Sequence, residues 1–130
     1  MGGISTVSTP RPHDRTRVLV VESDPVQRTM VAGWLGALPG VTVVAVASAG
    51  QAMACDRPQG FHLCVLRQDL GGVDGLTLGA MLRQLNAEAR LVLLGSGACP
   101  HLVSLAREHG FTAVVDGALV REQVEGWVSD

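Results

Sequence analysis

From residue 17 onwards the apolar positions fall into five short, continuous runs separated by stretches of helical period. The runs are Arg17-Val18-Leu19-Val20-Val21-Glu22, then residues 41–47, 63–66, 91–94 and 113–115. They do not alternate with polar residues and they are rich in β-branched side chains. That is the signature of strands buried on both faces, hence parallel strands covered by helices above and below. Asp24-Pro25 predicts a helix start, an N-cap followed by proline at the first helical position. That helix is expected to bury Met30, Val31, Trp34, Leu35 and Leu38 and to stop at Pro39-Gly40. A short helix is expected over residues 49–55. A third, over 76–86, sets Leu78, Met81, Leu82 and Leu85 on one face. A fourth follows Pro100 with Leu102, Leu105 and Ala106 inward, and a fifth spans 120–128 with Val124, Trp127 and Val128 inward. Strand and helix thus alternate five times, which predicts a doubly wound (βα)5 sandwich, class α/β, on a five-stranded parallel sheet with right-handed crossovers.

Length and composition narrow this further. The 130 residues suit one domain. Residues 1–16, rich in Ser, Thr, Pro and Gly, are expected to form a flexible tail before a domain at 17–130. With 47% hydrophobic and 17% charged residues the chain can build a core. No apolar run has membrane-spanning length and no secretory leader is visible, so a cytoplasmic chain with no membrane partner is expected. A net charge of −2 without a basic stripe argues against direct nucleic-acid contact. Cys55, Cys64 and Cys99 form no CxxC pair, which points to reduced thiols. His62, His101 and His109 have no metal-ligand spacing. All ten basic residues are arginine and tyrosine is absent, so no mechanism that needs a lysine or tyrosine side chain can operate.

In a doubly wound sheet, chemistry gathers beyond the carboxyl ends of the strands. The residues to weigh are therefore Glu22, Ser23 and Asp24 after the first strand, Arg67, Gln68 and Asp69 after the third, Gly95, Ser96 and Gly97 after the fourth, and Asp116 and Gly117 after the fifth. At these places the chain resembles a bacterial response-regulator receiver domain. The resemblance is carried by Arg17-Val18-Leu19-Val20-Val21-Glu22-Ser23-Asp24-Pro25 with Arg28 following, and by Leu70-Gly71-Gly72-Val73-Asp74-Gly75-Leu76. Leu91-Val92-Leu93-Leu94 and Gly110-Phe111-Thr112-Ala113-Val114-Val115 extend it. It implies a flavodoxin-like sheet of order 2-1-3-4-5 and a switchable module of two-component signalling. It also implies phosphoryl transfer from a kinase histidine to an aspartate after the third strand. A divalent cation, an acidic pair, a Thr/Ser and a lysine assist that transfer.

Carried over position by position, most of that machinery is missing. The acidic pair falls on Glu22 and Ser23, and Asp24 is better read as the helix cap. The phosphoacceptor position, seven residues before Asp74, is Arg67. The Thr/Ser position is Gly95, with Ser96 beside it; the lysine position is Gly117 or Asp116; the aromatic switch position is Val114. The resemblance therefore implies an atypical, phosphorylation-independent receiver, without catalytic residues, metal or cofactor of its own. It acts as a protein-interaction module upstream of an output such as transcription, with a homodimer expected through the fourth helix, fifth strand and fifth helix. Two roles stand open for Arg67. It either pairs with Glu22, and with Asp24 or Asp69, to hold one conformation, or it marks a decayed site and lays its stem along apolar surface. The alternative function is phosphate acceptance at Asp69, which would need two residues removed from a loop that aligns without a gap. An unrelated enzyme or flavin binder on the same fold is a third class. The glycine-rich stretch Gly95-Ser96-Gly97-Ala98-Cys99-Pro100 would serve it, but the acidic Glu22-Ser23-Asp24-Pro25 turn would repel a cofactor phosphate.

Overall fold

In the computed structural model, residues 16–95, 99–117 and 120–128 are described. The elements run β1 (Thr16–Val21), α1 (Pro25–Gly36), β2 (Val41–Val46), α2 (Ala49–Met53), a 3-10 turn (Pro58–Gly60), β3 (Leu63–Arg67), α3 (Gly75–Leu85), β4 (Arg90–Leu94), α4 (Pro100–Glu108), β5 (Ala113–Val115) and α5 (Val120–Val128). All strands are parallel and the sheet order is β2-β1-β3-β4-β5. This is the flavodoxin-like arrangement expected. The tail expectation for residues 1–16 lies outside the described residues except at Thr16, which already belongs to β1.

Side-chain alternation divides the strands between two cores. Val18, Val20, Leu63, Val65, Val92 and Leu94 pack against Val31 and Leu35 of α1 and Val120, Val124 and Trp127 of α5. Leu19, Val21, Cys64, Leu66, Leu91 and Leu93 face the opposite layer, formed by α2, α3 and α4. Both faces of the sheet are thereby removed from water, which is why the strands read as unbroken apolar runs.

The helix starts are set locally. Asp24 Oδ1 accepts from Val26 N–H at 2.9 Å, Ser48 Oγ from Gln51 N–H at 3.2 Å, and Asp74 Oδ1 from Thr77 N–H at 2.8 Å. Each satisfies an amide that the first helical turn leaves without a partner. After α1 the chain reverses at Gly40, whose φ of +74° suits a residue without Cβ.

Three inward assignments are corrected. Met30 on α1 is 43% exposed, and on α3 Met81 and Leu85 are 37% and 44% exposed. The buried stripe of α3 is Gly75, Leu76, Leu78, Gly79 and Leu82. A Cβ on Gly79 would lie 2.5 Å from Phe111 Cζ, so the helix sits close against that ring and turns Met81 and Leu85 to the rim. Leu38 and Trp34 pack at the margin of the α1 core as half-buried residues. The second helix ends at Met53 rather than residue 55, and Arg57, at φ +53°, leads into the 3-10 turn.

Candidate functional site at the carboxyl edge of the sheet

Register brings the site together. Val21 of β1 pairs with Leu66 of β3, so the next residues on each strand, Glu22 and Arg67, emerge side by side. Glu22 is 0% exposed, and it is the one charged residue among the described residues to be fully buried. Every polar part of it but one is engaged. Its N–H donates to Val46 O of β2 at 3.0 Å, and its carbonyl accepts from Arg28 Nη1 of α1 at 2.9 Å. Carboxylate Oε2 accepts from Asp24 N–H at 3.0 Å and from Arg67 Nε at 3.2 Å. Oε1 lies 3.0 Å from the same guanidinium nitrogen, a charge contact, but receives no hydrogen bond of its own. Glu22 thus ties β1, β2, β3 and α1 at one point. The Arg67 side chain is 29% exposed, so the ion pair is closed on the Glu22 side and wet on the other.

The remaining candidates surround this pair without joining it. Asp24 uses its carboxylate as the α1 cap and Ser23 is exposed. Asp69 is exposed, with Oδ1 accepting from Gly71 N–H at 3.1 Å in a local turn. Among the described residues neither Asp24 nor Asp69 pairs with Arg67, so of the three partners considered for the guanidinium only Glu22 holds it. Arg67, Asp69, Gly95, Asp116 and Gly117, with Gln68 and Leu94, line an open cleft of about 280 Å³. Ser96 lies outside the described residues. A larger cleft of about 470 Å³, lined by His62, Asn86, Glu88 and Arg90, lies at the opposite end of the strands, where β1 and β4 begin.

Two residues that the sequence offered only as parts of motifs make contacts that no spacing implied. Arg28 follows Asp24 by one helical turn, and only the fold turns it back onto the Glu22 carbonyl. Gly75 lies under the end of β3: its N–H donates to Gln68 O at 2.8 Å, and a Cβ there would strike the Arg67 carbonyl oxygen. Elsewhere, burial pushes the Cys64 thiol up from 9.0 to about 12, while Cys99 is exposed at the start of α4. His62 Nδ1 accepts from Arg17 N–H at 2.9 Å, a structural contact between β3's lead-in and β1.

No protein-family model matches the chain, and no curated protein matches it by sequence. Solved structures do. The BeF3-activated receiver domain of DrrB, a Thermotoga maritima response regulator, superposes with a TM-score of 0.76 at 18% identity, over 88% of this chain and 97% of that one. The chain has the receiver-domain fold. The receiver domain of NtrX from Brucella abortus gives 0.73 at 21% identity over 85% and 97% of the two chains. A LuxR-family two-component response regulator from Aurantimonas sp. SI85-9A1 gives 0.71 at 24% over 88% and 85%. A receiver fold positions the ends of β1, β3, β4 and β5 around one mouth; which chemistry occurs there depends on the side chains at that mouth.

Proposed function

We propose that the chain is a receiver domain of a two-component response regulator whose state is not set by phosphoryl transfer, and that it works as a protein-interaction module. The observation that carries this reading is the Arg67 guanidinium at the end of β3, bound to the buried Glu22 carboxylate. Acceptance of a phosphoryl group needs a nucleophilic oxygen in line with the donor, and cations that neutralise the spreading charge. Arginine supplies no such oxygen and stays protonated. The chain contains no lysine to bind the incoming phosphoryl oxygens. The residues present do not fit the divalent cation that the fold family implies. Both Glu22 oxygens lie within 3.2 Å of a fixed positive charge. Among the described residues no group of three or more His, Cys, Asp or Glu side chains converges.

In this reading Arg67 takes the electrostatic place of a bound cation and holds the β1–β3 mouth in one arrangement. Signalling then passes through association. The α4–β5–α5 face is the expected contact, with a second copy or with an output domain in a longer protein. Its two helices carry both signs of charge at exposed positions, Arg107 and Glu108 on α4 and Arg121 and Glu122 on α5. No helix among the described residues is long and apolar enough to cross a membrane. We read the chain as a cytoplasmic, non-enzymatic module.

The test is incubation with radiolabelled acetyl phosphate and Mg²⁺, followed by peptide mapping, with sizing in parallel. The expected result is no stable label and an unchanged assembly state. Label at Asp69 would establish the alternative acceptor, and label on any residue would overturn phosphorylation independence.

A further inference from the structure

The two edges of the sheet are built differently. β5 has three residues, whereas β2 has six and, among the described residues, pairs only with β1. Gly40 O accepts from Thr16 N–H and Val46 O from Glu22 N–H, so even-numbered positions of β2 face β1. Val43 and Ala45 therefore turn both N–H and C=O outward, a row that another strand can pair with. The usual guards against such pairing, proline or charge on the edge, are missing from Val-Thr-Val-Val-Ala-Val. The absence extends well beyond the strand. No Asp, Glu, Lys, Arg or His occurs between Arg28 and Asp56, a run of 27 residues that includes most of α1 and all of β2 and α2. Its exposed positions include Gly33, Gly36, Thr42, Ala45 and Gly50.

We propose that this edge pairs with the β2 edge of a second copy, antiparallel across a twofold axis beside Val43, so that the two sheets become one. A twofold axis sets each edge residue near its own counterpart: Val43 beside Val43, Val41 beside Ala45. A charged edge would repel itself in that arrangement, and this edge carries no charge. By the same token it offers a partner recognised by charge nothing to bind. A pair of six-residue strands is by itself a small contact beside the roughly 1,200 Å² that a stable interface buries. The same axis brings α1 against its counterpart. A Cβ at Gly36 would lie 3.9 Å from Val43 Cγ2, which places that bare stretch of helix beside the edge, with Gly33 one turn away. Close helix approach there supplies the remaining contact. The contact does not depend on the signalling role proposed above, and it leaves the α4–β5–α5 face, at the other edge, open.

The experiment is sedimentation of the full chain over a range of concentrations, with residue-resolved amide exchange. A dimer is expected, and the Val43 and Ala45 amides should exchange at least tenfold more slowly in it than in the monomer. Ala45→Lys, at an exposed position, should weaken the dimer at least tenfold and restore fast exchange, with the melting transition confirming a retained fold. Gly33→Arg should do the same through the helix contact without touching the strand. Arg121→Glu, near the opposite edge, should leave this dimer intact. A chain that stays monomeric throughout overturns the proposal. So does a dimer in which Val43 and Ala45 exchange unchanged, or one that Arg121→Glu dissolves while Ala45→Lys does not.

Discussion

At the residue scale, the energetic weight of Glu22 depends on what remains when its partner is removed. Arg67→Ala would leave a carboxylate at 0% exposure with one backbone donor, Asp24 N–H. Breaking a fully buried pair costs about 3–5 kcal/mol. Since Arg67 keeps 29% of its side chain in water, a loss of about 2 kcal/mol is expected in urea unfolding. Glu22→Gln removes the charge but keeps the shape and an acceptor, so it should cost less. The Glu22→Gln/Arg67→Ala double variant should cost less than the sum, because no stranded charge remains. Additive costs would show that the pair is not coupled. Cys64 gives a second prediction. Its folded-state thiol is pushed to about 12 by burial, above the ordinary 9.0, so the unfolded chain loses that proton first as pH rises. The contribution is fully present below about pH 9 and is lost as pH climbs toward 12. Lysine and tyrosine titration cannot obscure this window, since the chain has neither. Stability measured from pH 9 to 11 should therefore fall in the native chain and fall less steeply in Cys64→Ala.

At the scale of elements, strands proved easier to read than helix faces. A strand buried on both sides needs only a continuous apolar run, and β1 to β5 each fall within a residue of their expected bounds. A helix face is inferred from large apolar residues, and α3 shows how that misleads. Its closest approaches are at Gly75 and Gly79, which contribute nothing to an apolar count, so such a count runs the face through Met81 and Leu85 instead. The glycines matter because of what they touch. Gly79→Ala would drive a methyl group into the Phe111 ring, and overpacking of this kind costs about 1–3 kcal/mol. Gly75→Ala meets the Arg67 backbone carbonyl, which cannot rotate away as a side chain can. It should cost more than Gly79→Ala and should also displace the end of β3. Thermal melts of the two variants rank them, and a smaller loss for Gly75→Ala would contradict the close approach.

At the scale of the whole molecule, the mouth of the sheet is legible in part. Glu22 and Arg67 lie 45 positions apart in sequence. The pairing follows once β1 and β3 are neighbours in register, which the order of the strands implies. The Arg28 clamp and the Gly75 contact were not legible, because each depends on the path of a helix over a strand end rather than on a spacing along the chain. The same layout bears on whether one substitution could make the mouth accept a phosphoryl group. Arg67→Asp would place a second carboxylate beside Glu22 and remove the cation that compensates it, while Ser23 still supplies no carboxylate. Gly117 and Asp116 would supply no positive charge for an incoming phosphoryl group. Two carboxylates without a cation repel each other, so Arg67→Asp should lower stability at pH 7 relative to pH 5, where protonation relieves the repulsion. It should also take up no stable label from acetyl phosphate. Adding Ser23→Asp and Gly117→Lys supplies the missing charges of both signs from the ends of β1 and β5, and only then is labelling at residue 67 expected. Labelling of Arg67→Asp alone at a comparable rate would show that the surrounding mouth supports phosphoryl transfer without the charges that Ser23→Asp and Gly117→Lys add, against the expectation from Ser23 and Gly117.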